Sequence, residues 1–99
     1  MALMEISIVP IGTGSTSVGD YVAEMIRHLR RLGLPYQLTD MATIVEGDPS
    51  RLLQAARELH ELPFARGAQR VVTRLVIDDR RDKEVSLGDK TKSVDARFP

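Results

Sequence analysis

The side chains able to do chemistry here are hydroxyls and carboxylates gathered in a few short stretches. Gly12-Thr13-Gly14-Ser15-Thr16-Ser17 places hydroxyls between glycines just ahead of a helical apolar pattern. The free amides and dipole of a helix start can hold an anion such as phosphate at such a place. Glycines at 12, 14 and 19 miss the dinucleotide-binding spacing, and no Gly-Lys-Ser/Thr follows, so no nucleotide signature is present. A strand-to-helix turn with its cap and a set of polar ligand contacts both remain open for this loop. Thr39-Asp40-Met41 and Thr43-Ile44-Val45-Glu46-Gly47 combine hydroxyls with carboxylates. In a strand Thr43 and Val45 share one face and Ile44 and Glu46 the other, so only one pair can line a pocket beneath the helices. Glu46 has a second reading, an ion pair with Arg80 or Arg81.

The other charged groups point away from catalysis. Asp78-Asp79-Arg80-Arg81-Asp82-Lys83 mixes signs in the way that predicts salt bridges rather than a metal or nucleic-acid site. His28 and His60 stand on separate predicted helices with no metal-ligand spacing, which predicts edge-of-core or surface roles. Nothing resembles a nucleophile elbow, and the absence of cysteine removes thiol nucleophiles, disulfides and thiolate metal sites. No catalytic constellation emerges, and a non-enzymatic protein without metal or cofactor is expected. The alternatives are a small enzyme or regulatory sensor binding a phosphorylated metabolite through the Gly12 to Ser17 loop, or a purely structural oligomerisation module.

Fourteen basic residues balance fourteen acidic ones. The net charge of zero gives no general field for nucleic acid or an anionic membrane, and it favours self-association. No apolar run approaches the ~18 residues of a membrane span, and Met1 to Glu5 lacks a signal-peptide pattern. The expectation is one cytoplasmic domain over residues 1–99.

These groups must be positioned by elements legible in the apolar pattern. Glu5 to Ile11 predicts a strand. Ser17 is the predicted N-cap of a helix carrying Val18, Tyr21, Val22, Met25, Leu29 and Leu32 inward, with Glu24, Arg27, Arg30 and Arg31 as solvated charges and Gly33 as its end. Pro35 to Thr39 and Ala42 to Glu46 predict a hairpin. Asp48-Pro49 starts a second helix with Leu52, Leu53, Ala56, Leu59 and Leu62 as its buried stripe, and Pro63 is expected to kink or stop it before Gly67. Arg70 to Asp78 alternates as a last strand, and Ser86 to Arg97 predicts a terminal helix with little apolar content.

The order β-α-β-β-α-β predicts an α+β, ferredoxin-like sandwich: an antiparallel sheet with two helices on one face, plus a short C-terminal helix. In that topology Thr13, Ser15, Thr16 and Ser17 are expected near Thr39 to Thr43 and Gln69, while Glu46 and Asp48 meet Asp78 to Arg81 at the other end. Val9, Val72 and Val76 fall on the uncovered sheet face, an apolar patch that predicts an interface.

Three segments, Pro10 to Val22, Thr43 to Gly47 and Ile77 to Lys83, resemble in order and spacing the signature segments of the small thiamine-binding protein family, the YkoF-like ferredoxin-like domains. The resemblance implies non-enzymatic binding of thiamine or its hydroxymethylpyrimidine moiety, and a homotetramer built as a dimer of dimers. An acceptor for the exocyclic amine, partners for the ring nitrogens and tolerance of a thiazolium charge are required. Ser7, Ser17, Thr39, Asp40, Met41, Thr43 and Glu46 are the candidate ligand-binding residues, with one of the two carboxylates expected to matter. Asp40, Ala42 and Pro63 depart from the residues usual in the family, which has Pro, Gly and a continuing helix there.

Overall fold

The structure, a computed structural model, describes residues 1–16 and 18–98. Strand β1 (Ala2–Ile11) leads to helix α1 (Gly19–Leu32), the hairpin β2 (Tyr36–Leu38) and β3 (Thr43–Gly47), helix α2 (Pro49–Ala65), strand β4 (Arg70–Asp78) and a short helix α3 (Asp89–Asp95). The sheet order is β2-β3-β1-β4, antiparallel throughout, which is the ferredoxin-like arrangement.

The alternation of β1 sets the two sheet faces. Ala2, Met4, Ile6 and Ile8 turn inward with Val45 of β3 and meet Met25 and Leu29 of α1 and Leu52, Ala55, Ala56 and Leu59 of α2, forming the core. Leu53 lies outside that stripe and is exposed, while Ala55 and Pro63 are buried in it. Gly33, at φ 71°, closes α1, and its N–H and that of Leu34 donate to the carbonyls of Arg30 and Leu29 at 3.1 and 3.3 Å. Gly47 is needed for packing: a Cβ there would meet the side chains of Leu34 and Leu52 at 3.2 Å.

The helix starts differ. The Asp48 carboxylate accepts from Ser50 N at 3.1 Å, with Pro49 at the first helical position. For α1 the N-cap position is Val18, whose side chain makes no cap hydrogen bond; the predicted cap Ser17 lies outside the described residues. Helix α2 ends at Ala65, two residues past Pro63 and before Gly67, as expected. The buried ring of Pro63 sits in the last turn, and its carbonyl accepts from Arg66 and Ala68 at 3.1 and 3.0 Å.

The sheet face away from α1 and α2 carries Val9, Val72 and Val76, exposed to 42%, 43% and 62%. Its other end lies under the C-terminal segment, where Leu87 N donates to the Glu46 carboxylate at 2.8 Å. The terminal helix is shorter than its pattern predicts, because Gly88 at φ 85° delays its start to Asp89, whose carboxylate accepts from Ser86 N at 2.8 Å. The radius of gyration, 14.9 Å, exceeds the ~13 Å of a compact domain of this length.

Candidate functional site

The hairpin is shorter than the strand it pairs with, and the mismatch creates a cleft. Strand β3 pairs β1 from Ala2 to Ile6, whereas β4 pairs it from Leu3 to Ile11. Beyond Ile6, one edge of β1 is therefore bare. Antiparallel strands turn the backbone groups of successive residues to alternate sides. Glu46 N donates to Pro35 O on the β2 side, so Thr43 and Val45 turn toward β1 and meet Ile6 and Met4. By the same alternation the N–H and C=O of Ile8 face the bare edge, where no strand receives them. Pro10, also on that edge, has no N–H to offer.

The cleft has a volume of about 780 Å³ and lies between this edge, the hairpin turn and one side of α1, within the roughly 300–1,000 Å³ of small-molecule sites. Its α1 wall descends from Val18 and Gly19 through Val22 and Ile26 to Arg27 and Arg30. Its floor is apolar and its polar groups are few. Thr43 is 3% exposed, yet among the described residues its hydroxyl makes no hydrogen bond. No fully buried side-chain atom among them lacks a partner, so that oxygen opens onto the cleft. The Thr39 hydroxyl is engaged in the turn, donating to Ala42 O at 2.6 Å and accepting from Ala42 N at 3.2 Å. That clamp holds Asp40 and Met41 at the cleft mouth, Met41 being 88% exposed.

Of the candidate residues, Ser7, Thr39, Asp40, Met41 and Thr43 line this cleft. Glu46 does not. It lies on the opposite sheet face and clips the C-terminal segment through Leu87, and it pairs with neither Arg80 nor Arg81. Ser17 lies outside the described residues. Thr13, Ser15 and Thr16 are not part of the hairpin cleft, because the hairpin ends level with Ile6 while β1 carries the chain on to Ile11. Thr13 borders a separate depression with Tyr21, Arg66 and Gln69, where Arg66 lies over the Tyr21 ring and pairs with Glu24 at 3.0 Å.

The remaining conspicuous groups are satisfied internally. Arg80 is bidentate on Asp82, and Arg81 pairs with Asp79 at 2.7 Å. Hydrogen bonds from these guanidiniums hold both carboxyls below their ordinary pKa. The Asp48 end of α2 does meet this run, in a depression shared with Asp79, Arg80 and Arg81. Arg31 donates to His28 Nδ1 at 3.2 Å, so the ring proton is on Nε2 and donates to Glu58 at 3.0 Å, tying α1 to α2. Bonds from Gln54 and then His28 hold the Glu58 carboxyl below its ordinary pKa. His60 Nδ1 lies 2.7 Å from the Thr73 hydroxyl, with Phe64 edge-on at 5.4 Å. Among the described residues no group of acidic or His side chains could hold a metal ion, and no helix is long and apolar enough to cross a membrane.

Sequence reasoning missed the bare edge at Ile8 and the place of Arg27 and Arg30 on the cleft wall. The only signal was length: a predicted first strand of seven residues, Glu5 to Ile11, against two shorter hairpin strands.

A four-stranded antiparallel sheet with two helices on one face and a side cleft at a bare strand edge defines a small ferredoxin-like α+β domain. The family model described as thiamine-binding protein matches residues 4–95, and the chain belongs to that family. It is 43% identical over 98 residues to the UPF0045 protein YqgV of Bacillus subtilis, covering 95% of this chain and 94% of that one. It is 40% identical over 99 residues to a UPF0045 protein of Staphylococcus xylosus encoded in the glkA 3' region, covering 96% and 92%. The crystal structure of MJ1052 from Methanocaldococcus jannaschii superposes with a TM-score of 0.84 at 35% identity, covering 95% of each chain.

Proposed function

We propose that this protein binds thiamine, or its hydroxymethylpyrimidine moiety, in the hairpin cleft without transforming it, and does so in the cytoplasm as a homotetramer arranged as a dimer of dimers. The observation that carries the reading is the unpaired Thr43 hydroxyl opening onto the cleft beside the bare backbone edge at Ile8. An aminopyrimidine presents an amine donor next to a ring-nitrogen acceptor. The C=O and N–H of Ile8 form the complementary pair, the Thr43 hydroxyl adds a partner, and the apolar wall of Val22 and Ile26 suits the ring face. Asp40 is the carboxylate on this side of the sheet, at the mouth, where it can accept from the amine or sit near the thiazolium. Glu46, turned to the other face, takes no part. The family match supports the choice of ligand, and the exposed Val72 and Val76 support the assembly.

Calorimetric titration of the wild-type protein with thiamine and with hydroxymethylpyrimidine tests the reading. Saturable binding of either, lost or much weakened in Thr43→Val, is expected. No heat with either at millimolar concentration would overturn it.

A further inference from the structure

The cleft wall carries a charge that unphosphorylated thiamine leaves unanswered. Three ionisable side chains line it: Arg27, Arg30 and Asp40. Two guanidiniums against one carboxylate leave the lining with one net positive charge. Thiamine brings a further positive charge in its thiazolium ring, and Asp40 cannot neutralise both it and the arginines.

Among the described residues most arginines, these two included, have no carboxylate partner, and what distinguishes Arg27 and Arg30 is their place on the cleft wall. Arg66, Arg80 and Arg81 each have a carboxylate partner. Among the described residues Arg27 and Arg30 have none. Arg30 is nonetheless held in place, because its Nε donates to the Tyr36 hydroxyl at 2.8 Å while its remaining N–H groups have no carboxylate. Arg27, three residues earlier, lies on the same side of α1. Two like charges side by side on a helix repel, and among the described residues no ion pair neutralises either of them. A guanidinium fork matches the oxygens of a phosphate and binds it with charge-assisted hydrogen bonds.

Resting on the aminopyrimidine reading above, we propose that the cleft takes the phosphorylated form of its ligand, a thiamine phosphate ester or the phosphorylated aminopyrimidine, with Arg27 and Arg30 holding the phosphate. The dianion of thiamine monophosphate carries one net negative charge and leaves the occupied cleft neutral. The aminopyrimidine then lies at Thr43 and Ile8, and the phosphate at the α1 wall.

The test is calorimetry on the intact protein at low salt with thiamine, thiamine monophosphate, thiamine diphosphate, hydroxymethylpyrimidine, its phosphate and inorganic phosphate. Each phosphorylated compound is expected to bind at least about tenfold more tightly than its unphosphorylated counterpart, with an advantage that shrinks as salt is raised. Both arginines are exposed, so the Arg27→Gln/Arg30→Gln double variant is expected to fold and to bring that ratio to about one. Arg30→Lys, which keeps the charge, is expected to preserve most of it. Equal binding of phosphorylated and unphosphorylated ligands, or an unchanged ratio in the double variant, overturns the phosphate proposal while leaving thiamine binding intact. Tight binding of inorganic phosphate with no response to any pyrimidine overturns both, as does silence from every compound.

Discussion

The two ends of the sheet hold the chain's most conspicuous polar residues, and they resolve in opposite ways. At the Asp78 to Asp89 end most charges meet a protein partner: Arg80 with Asp82, Arg81 with Asp79, Glu46 with Leu87 N, and Asp89 with Ser86 N. At the hairpin end, among the described residues, the Thr43 hydroxyl and a strand edge stay without protein partners, and Arg27 and Arg30 without a carboxylate, around one cleft. The denser run of charge is architecture, and the sparser one surrounds the cleft in which the ligand is proposed to bind. Unsatisfied hydrogen-bonding capacity in a concave site distinguishes the two, because a buried polar group without a partner costs more than a typical hydrogen bond returns.

The largest effect that tests this contrast belongs to the hairpin. Thr43→Val with Asp40→Asn is expected to weaken thiamine-type ligands by roughly tenfold to a hundredfold, about 1.5–3 kcal/mol, with the fold unchanged. Calorimetry checks it, and full affinity in the double variant would break the comparison. Next comes the open sheet face. Val76→Asp is expected to lower the mass seen in sedimentation, and a wild-type protein that already runs as an 11.0 kDa monomer would remove the interface argument. Glu46→Ala removes a charge-assisted bond to Leu87 N, with an expected cost of about 1 kcal/mol. It should leave ligand affinity alone and speed proteolysis within residues 79–98. Ligand loss in this variant would mean that the two ends are coupled.

The smallest effect is in the exposed ion pairs. Asp79 and Asp82 have folded-state pKa values below their unfolded ones. Their contribution is therefore present above the ordinary carboxylate range and is lost as pH falls through the lowered values. Because both pairs are solvated, the Arg81→Ala thermal midpoint should lie within error of wild type at neutral pH and remain so on acidification. A clear gap at neutral pH would show that the run does more than brace the surface.

Much of the fold was legible because periodicity reports burial. The alternation of Arg70 to Asp78 and the Asp48-Pro49 helix start both carry over to the structure. Other features are decided by tertiary packing. Ala2, Leu3 and Met4 have no strand preference, yet β1 begins at Ala2 because Ala2 and Met4 complete the core. Pro63 reads as a helix kink or stop, and α2 does end two residues after it, but the burial of its ring and the closing of its turn by Arg66 and Ala68 come from packing. The cleft was half legible. Hydroxyls and a carboxylate at the hairpin could be read from residue types, whereas the separation of Asp40 from Glu46 depends on the strand's inward phase. Arg27 and Arg30 read as ordinary solvated charges, since nothing local says that the neighbouring sheet edge stops short.

That short hairpin has a further consequence for the unliganded chain. An uncovered strand edge is a template on which another chain can add a strand, and Ile8 presents it with both donor and acceptor. Pro10 blunts the far end by withholding an N–H. A molecule seated in the cleft would shield the rest, so an empty cleft should leave the protein more prone to aggregate, and a filled one should keep it dispersed at the same concentration.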